Sequence, residues 1–218
     1  MIMTFLIENA LRAQKILSKL VIIQPINISM INIIAGLDVS YKDGLGCAVA
    51  VAYDSKNRAL TTYSQYCEKV AIPYIPGFLA FREAPLMIKA LLNLMSKIHI
   101  DITLVNGHGM AHPRKCGIAS HIGVVLNIPT VGVAKSFLYG DVIRIGDNEA
   151  IVIDNTIVGY ILRRNSKKIY VSIGNKVTAE DAANIVLNLW NYSYILPEPL
   201  RLADELSRKT VKKLAAKL

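Results

Sequence analysis

Residues 102–139, ITLVNGHGMAHPRKCGIASHIGVVLNIPTVGVAKSFLY, restrict the possible folds more than any other part of the chain. A β-branched apolar run ends on the polar Asn106. Gly107, Gly109 and the sequence His112-Pro113-Arg114 follow, and a helical stretch over 117–127 leads to a second apolar run over 129–134 and then to Lys135. Strand, helix, strand in one short stretch predicts a βαβ unit and therefore parallel pairing. Polar groups at the end of a buried strand, beside glycines that let a ligand approach the backbone, are how α/β folds build sites. The group at this strand end is an amide where phosphoryl-transfer chemistry favours a carboxylate. Asn106 therefore decides whether such a site works at full strength or is impaired.

The remaining elements follow from periodicity. Phe5, Ile7, Leu11, Ile16, Leu17 and Leu20 recur at helical spacing and predict an amphipathic helix over 4–20. Runs at 31–41, 46–54 and 59–72 read as strands, with a tight-turn signal at Asp43-Gly44 and a link at Ser55-Lys56-Asn57, which predicts an antiparallel meander. A helix over 78–98 carries Leu79, Leu86, Ala90, Leu91, Leu94 and Met95 on one face. Short strands near 141–145, 149–153, 156–163 and 168–173 come next, then helices over 178–191 and 199–217. The first of these helices opens on Thr178-x-x-Asp181, a variant of the capping box. The reading is one mixed α/β domain over 1–218: a helical segment over 1–25, then a core with C-terminal helices over 31–218.

The chain is 53% hydrophobic with a mean hydropathy of +0.38, so a membrane reading has to be tested. Its most apolar stretch, 17–39, is broken by Lys19, Gln24, Pro25, Asn27, Asn32 and Asp38. No run reaches the roughly 18–20 apolar residues that a span needs. Glu8 and Arg12 lie in an amphipathic pattern unlike a secretory signal, so a cytoplasmic chain without membrane association is expected. The net charge of +9 favours a polyanionic partner over a basic surface kept for solubility, with clusters at Arg163-Arg164, Lys167-Lys168 and Lys212-Lys213. Cys47, Cys67 and Cys116 are an odd number without a CxxC pair, which argues against a disulfide framework and for reduced thiols.

Three polar groups stand where chemistry is plausible. Asp38 interrupts an apolar strand, and the plain alternative is a carboxylate at a strand edge facing water. Glu83 opens an amphipathic helix, where an acidic residue is favoured by the helix dipole alone. Asn106 could be an ordinary Asn-Gly turn. Taken together, meander, helix and parallel strand with polar groups on each match the layout of ribonuclease H-like folds. Those folds gather carboxylates around divalent ions, and Mg²⁺ takes hard oxygen ligands from several elements. His108, His112, Cys116 and His121 raise a zinc alternative. Gly107, Gly109 and Pro113 argue against a helix presenting His108 and His112 together, and no standard zinc spacing occurs. His112 instead reads as a residue orienting water or substrate beside the metals, and His121 as a satisfied helix histidine.

The blocks IAGLDVSYKDG (34–44), PYIPGFLAFREAP (73–85), NGHGMAHPRKCGIASHIG (106–123) and IPTVGVAKSFLYG (128–140) resemble, in order, the motif set of the endonuclease V family. With LPEPLRLADELS (196–207), the resemblance covers most of the chain. It implies a ribonuclease H-like mixed sheet flanked by helices and a monomeric nuclease that uses Mg²⁺, with Mn²⁺ as a substitute. The implied substrate is DNA containing deoxyinosine, the deamination product of adenine, or inosine-containing RNA. The implied reaction is hydrolysis one nucleotide beyond the lesion on its 3′ side, leaving 3′-hydroxyl and 5′-phosphate ends, in DNA repair.

Carried over residue by residue, the family's metal carboxylates fall on Asp38 and Glu83, its third carboxylate falls on Asn106, and a further ligand falls on Asp204. Lys135 would neutralise the scissile phosphate as a point cation. Pro73-Tyr74-Ile75-Pro76, with two fixed φ angles, would be the strand-separating wedge that fills the space of a displaced base. The alternative is a rigid strand exit with Tyr74 in the core. A flipped hypoxanthine would be held by Gly77, Leu79, Gly107, Ile118, Gly132 and Leu138. Asn106 brings no charge to a dication, a loss of several kcal/mol at an effective dielectric of about 20. The alternative function is accordingly an inosine-binding module, or a substrate-trapping chain with little hydrolysis.

Overall fold

The computed structural model describes residues 6–191 and 193–217. The helix predicted over 4–20 forms as α1 (Ile7–Ser18), residues 4 and 5 lying outside the described residues. Asp43 and Gly44 both take positive φ, 51° and 77°, the backbone of a tight hairpin turn. They fold β1 (Ile33–Lys42) onto β2 (Leu45–Asp54), and β3 (Ala59–Lys69) completes the expected meander. Next come α2 (Leu79–Met95), β4 (Ile102–Asn106), α3 (Ile118–Leu126) and β5 (Thr130–Ala134). The chain then forms β6 (Asp141–Ile145), β7 (Asn148–Ile153), β8 (Thr156–Arg164) and β9 (Lys167–Asn175). It closes with α4 (Ala179–Leu189) and α5 (Glu198–Ala215). Thr178 caps α4 as expected, its Oγ1 accepting from the Asp181 backbone N–H at 3.1 Å.

The nine strands among the described residues share one sheet in the order β3-β2-β1-β4-β5-β9-β8-β7-β6. The β1–β4 and β4–β5 pairs are parallel and the others antiparallel, the mixed sheet expected from the βαβ pattern. Alternation along β1 assigns its two faces. Ala35 and Leu37 pack with Ala84, Met87 and Leu91 of α2 and with Ile118 and Ile122 of α3. Ile34 joins Leu104, Val131 and Val133 under Val186 of α4 and Leu200 of α5. Among the described residues no helix is long and apolar enough to cross a membrane.

The expectation of three reduced thiols is overturned. Cys47 and Cys67 lie directly opposite each other in the β2–β3 ladder, 4.1 Å apart at Cα, and form a disulfide that Val211 and Leu214 of α5 cover. Counting cysteines and looking for CxxC misses a pair created by cross-strand register. Cys116 is free and buried.

α5 crosses β1 so closely that a Cβ at Gly36 would stand 2.3 Å from the Pro199 carbonyl oxygen. Backbone cannot yield as a flexible side chain does, so β1 and α5 must part if that space is filled. Gly36→Ala is expected to lower stability by about 1–3 kcal/mol or more, read as a fall in the thermal midpoint. An unchanged midpoint would show that this contact is loose.

Candidate active site

The β1–β4 register ends with Leu37 opposite Val105. β4 stops at Asn106 while β1 runs on to Lys42, so Asp38 and Asn106 lie side by side where the sheet opens. The Asn106 Nδ2 donates to Asp38 Oδ1 at 2.6 Å, and Ser207 Oγ of α5 donates to Asp38 Oδ2 at 2.6 Å. With the Ser207 proton committed to Asp38, Ser40 Oγ, 2.8 Å away, donates to Ser207. Asp38 is only 5% exposed. Burial raises its pKa, the Ser207 and Asn106 hydrogen bonds oppose the rise, and the charge of Asp204 adds to it.

Glu83 enters from the second turn of α2. Burial, and next the nearby charge of Asp38, push its pKa up to about 7. Burial also raises the pKa of the Tyr41 phenol beside it, and the charge of Glu83 adds to the rise. The Arg82 guanidinium lies over the Tyr41 ring at 4.3 Å. Asp204 approaches from α5 but is paired with Arg208 at 2.8 Å. Among the described residues no three His, Cys, Asp or Glu side chains converge as a metal cluster. The four groups proposed for zinc are likewise not gathered; the His121 ring packs edge-on against Phe81 at 5.4 Å instead.

The residues present nevertheless fit a hard divalent cation. The two carboxylates, Asp38 buried and Glu83 half-buried, repel each other, and among the described residues neither has an ion-pair partner, so the site is short of positive charge. Asp38, Glu83 and the Asn106 carbonyl would be its oxygen donors, with Asp204 at the margin.

A cavity of about 310 Å³ opens beyond the ends of β4 and β5, within the size range of small-ligand sites. Tyr74, Gly77, Leu79, Gly107, Ile118 and Leu138 line it, as do Asn106, His112 and Lys135. Gly132 lies beneath the floor, where a Cβ would meet Gly109 N at 2.4 Å and Gly107 O at 2.7 Å. Only glycine there lets the loop after β4 cross β5. Pro73, Ile75 and Pro76 flank Tyr74 without lining the cavity. Tyr74 is 65% exposed, which excludes the core alternative for its ring. Asn106 and Lys135 belong to both the cavity wall and the carboxylate end: Asn106 bonds Asp38, and the Lys135 charge acts on it.

Sequence reasoning missed the clamp that shapes this cavity. Gln14 of α1, 1% exposed, donates to the Gly77 carbonyl at 3.0 Å. Arg114 Nη2 donates to the same oxygen at 2.6 Å, and its Nε donates to Gln14 Oε1 at 2.5 Å. His112 Nδ1 accepts from the Arg114 backbone N–H at 3.2 Å, so its Nε2–H is the third donor to Gly77, at 3.1 Å. Burial holds His112 at about 4, and both its ring nitrogens are engaged within the protein. No sequence signal marked Gln14: it shares the buried face of α1 with Ala10, whereas Ile7 and Ile16 of the expected apolar stripe are exposed. The signal for Ser207 was its place three residues after Asp204, on the same helix face.

A sequence profile of the endonuclease V family matches residues 14–205. The chain belongs to the endonuclease V family. Endonuclease V of Sulfolobus acidocaldarius is 44% identical over 210 residues, covering 96% of this chain and 98% of that protein. The crystal structure of the Bacillus subtilis endonuclease V superposes with a TM-score of 0.88 at 29% identity, over 100% of this chain and 97% of that one. Endonuclease V of Ciona intestinalis, with a TM-score of 0.86 at 28% identity over 95% and 98% of the two chains, was solved with a 24-mer DNA containing an inosine followed by a ribo-adenosine. The family and the mixed α/β fold implied by the ordered blocks are therefore correct, and members of the family are nucleases of phosphodiester bonds.

The Glu83 environment gives a signed prediction. Its folded pKa of about 7 exceeds the ordinary 4.5, so the folded chain holds the proton more tightly. The stability this contributes is complete below about 4.5 and is lost as pH rises through about 7. Without divalent ions, Glu83→Gln should melt several degrees above the unaltered chain at pH 8 and level with it below pH 4.5. The gain is bounded by about 3 kcal/mol. A difference that does not change with pH would contradict the burial argument.

Proposed function

We propose that this chain is a metal-dependent endonuclease that recognises deoxyinosine in DNA, or inosine in RNA. It hydrolyses the phosphodiester one nucleotide beyond the lesion on its 3′ side, with Mg²⁺ as the working ion and Mn²⁺ as a substitute. The observation that carries this reading is that a base-sized cavity and a pair of closely placed carboxylates short of positive charge share Asn106 and Lys135 as a common wall. A flipped base and the nearby backbone would then be held in one frame. The biological setting is repair of deaminated adenine.

Under this reading Tyr74, exposed between Pro73 and Pro76, stands in for the displaced base and offsets part of the few kcal/mol that unstacking costs. The Gln14–Arg114–His112 clamp fixes Gly77, and with it the loop joining wedge to pocket. His112 is a positioning residue here. Lys135 presents a point charge to the scissile phosphate. When bound, the ion supplies Lewis-acid stabilisation of the charge that builds on the phosphoryl oxygens. Asp38 and Glu83 would hold it, while Ser207 and Ser40 fix the carboxylate orientation of Asp38.

The amide at position 106 favours a second reading, a binding module with slow hydrolysis. An aspartate there would set two carboxylate oxygens about one hydrogen-bond length apart, which requires a cation or a shared proton between them. Asn106 removes that requirement, and with it part of the pull on the ion.

On an end-labelled inosine duplex with Mg²⁺ or Mn²⁺, the chain should nick one nucleotide beyond the inosine and Asp38→Ala should lose at least about a hundredfold in rate, near 2.7 kcal/mol. Equal cutting by the two would refute the assignment. Asn106→Asp, in the same assay, should raise nicking tenfold or more with similar inosine affinity. No gain, with a negligible absolute rate in both chains, would establish the binding module.

A further inference from the structure

The segment that follows β5 exposes three large apolar side chains in a row. Phe137, Leu138 and Tyr139 are 42%, 44% and 44% exposed. A contiguous group of exposed large apolar side chains marks a contact surface. Leu138 lines the base cavity on one side and a second cavity of about 250 Å³ on the other, and Phe137 and Tyr139 form the apolar wall of that second space. The Phe137 ring leans on Tyr170 at 5.8 Å, and Lys168 Nζ stands 5.3 Å from the Tyr170 ring.

We propose that this second cavity is a subsite for the nucleobase immediately 5′ of the inosine, stacked on Phe137 with Tyr139 beside it. The inference rests on the functional reading above and deepens it. Sheet order gives the direction. The carboxylates lie on β1 and beside β4, the base cavity lies beyond β4 and β5, and the second cavity reaches Val152 and Ile153 of β7, on the opposite side. A strand whose flipped base fills the first cavity and whose 3′ side crosses the carboxylates sends its 5′ neighbour toward Phe137. The aromatic wall selects a base over a phosphate, and the rim adds Asp141 and Asp154, the latter paired with Lys115 at 2.7 Å. Every nucleobase has a face that can stack on an aromatic ring, whatever its sequence identity.

The test is a coupling measurement between one protein change and one nucleic-acid change. Affinities are measured, without divalent ions, for an inosine-containing single strand with an intact or an abasic nucleotide 5′ of the inosine, and with an abasic nucleotide 3′ of it as control. For the unaltered chain, the 5′ abasic site should weaken binding about tenfold and Phe137→Ala should do the same. The two together should cost little more than either alone, whereas Phe137→Ala and the 3′ abasic site should combine multiplicatively. Phe137→Tyr, which keeps a ring, should restore the 5′ coupling. An adenine-for-inosine strand separates the levels of the argument. Inosine preference with purely multiplicative 5′ effects overturns the subsite alone. Absence of inosine preference in the unaltered chain overturns the functional reading and the subsite with it.

Discussion

The arrangement depends on a carboxylate buried where its strand loses a neighbour. Asp38 sits in β1 at the point where β4 ends, 5% exposed, with one oxygen taken by Asn106 and the other by Ser207. A carboxylate in that position is costly unless its charge is answered. Two hydrogen bonds answer part of it, while Glu83 and Asp204 add charge of the same sign. The chain therefore carries a deficit of positive charge at one place, which Lys135 and Arg82 offset only in part. Contacts far from it serve to hold it: α5 reaches β1 only because position 36 is glycine, and that approach is what delivers Ser207.

The same sheet edge joins the carboxylates to the cavity. β4 and β5 end side by side, so the loop after each begins at the carboxylates and continues as the wall of the cavity. Asn106 and Lys135 are the first residues of those two walls. The Gly77 carbonyl, gripped by donors from α1 and from the loop before α3, ties the opposite wall to the same body. The cavity and the carboxylates thus rest on one frame, which suits the proposed reaction with its fixed distance from lesion to bond.

Local pattern carried far in this chain. The Asp43-Gly44 turn, the βαβ unit around Asn106 and the cap at Thr178 each declared themselves through short-range chemistry, and the structure has each in place. Asp38, Glu83 and Asn106 were legible as polar interruptions at element ends. What stayed hidden depends on long-range register and docking. The Cys47–Cys67 bond exists because two strands pair in one register. Gln14 meets Gly77 and Arg114 only once α1 has docked, across sequence separations of 63 and 100 residues. Ser207 reaches Asp38 across 169. No local periodicity encodes those partners.

The central claim is that the Asp38–Glu83 pair is a cation site whose occupancy relieves a built-in charge deficit. Thermal melts at pH 8 over a Mg²⁺ titration test it without any need for catalysis, because an ion that binds only the folded chain raises the midpoint with concentration. The account predicts a concentration-dependent rise for the unaltered chain and a much smaller one for Asp38→Asn, which removes the charge but keeps the shape. The same rise in both, or none in the unaltered chain up to millimolar Mg²⁺, would contradict it.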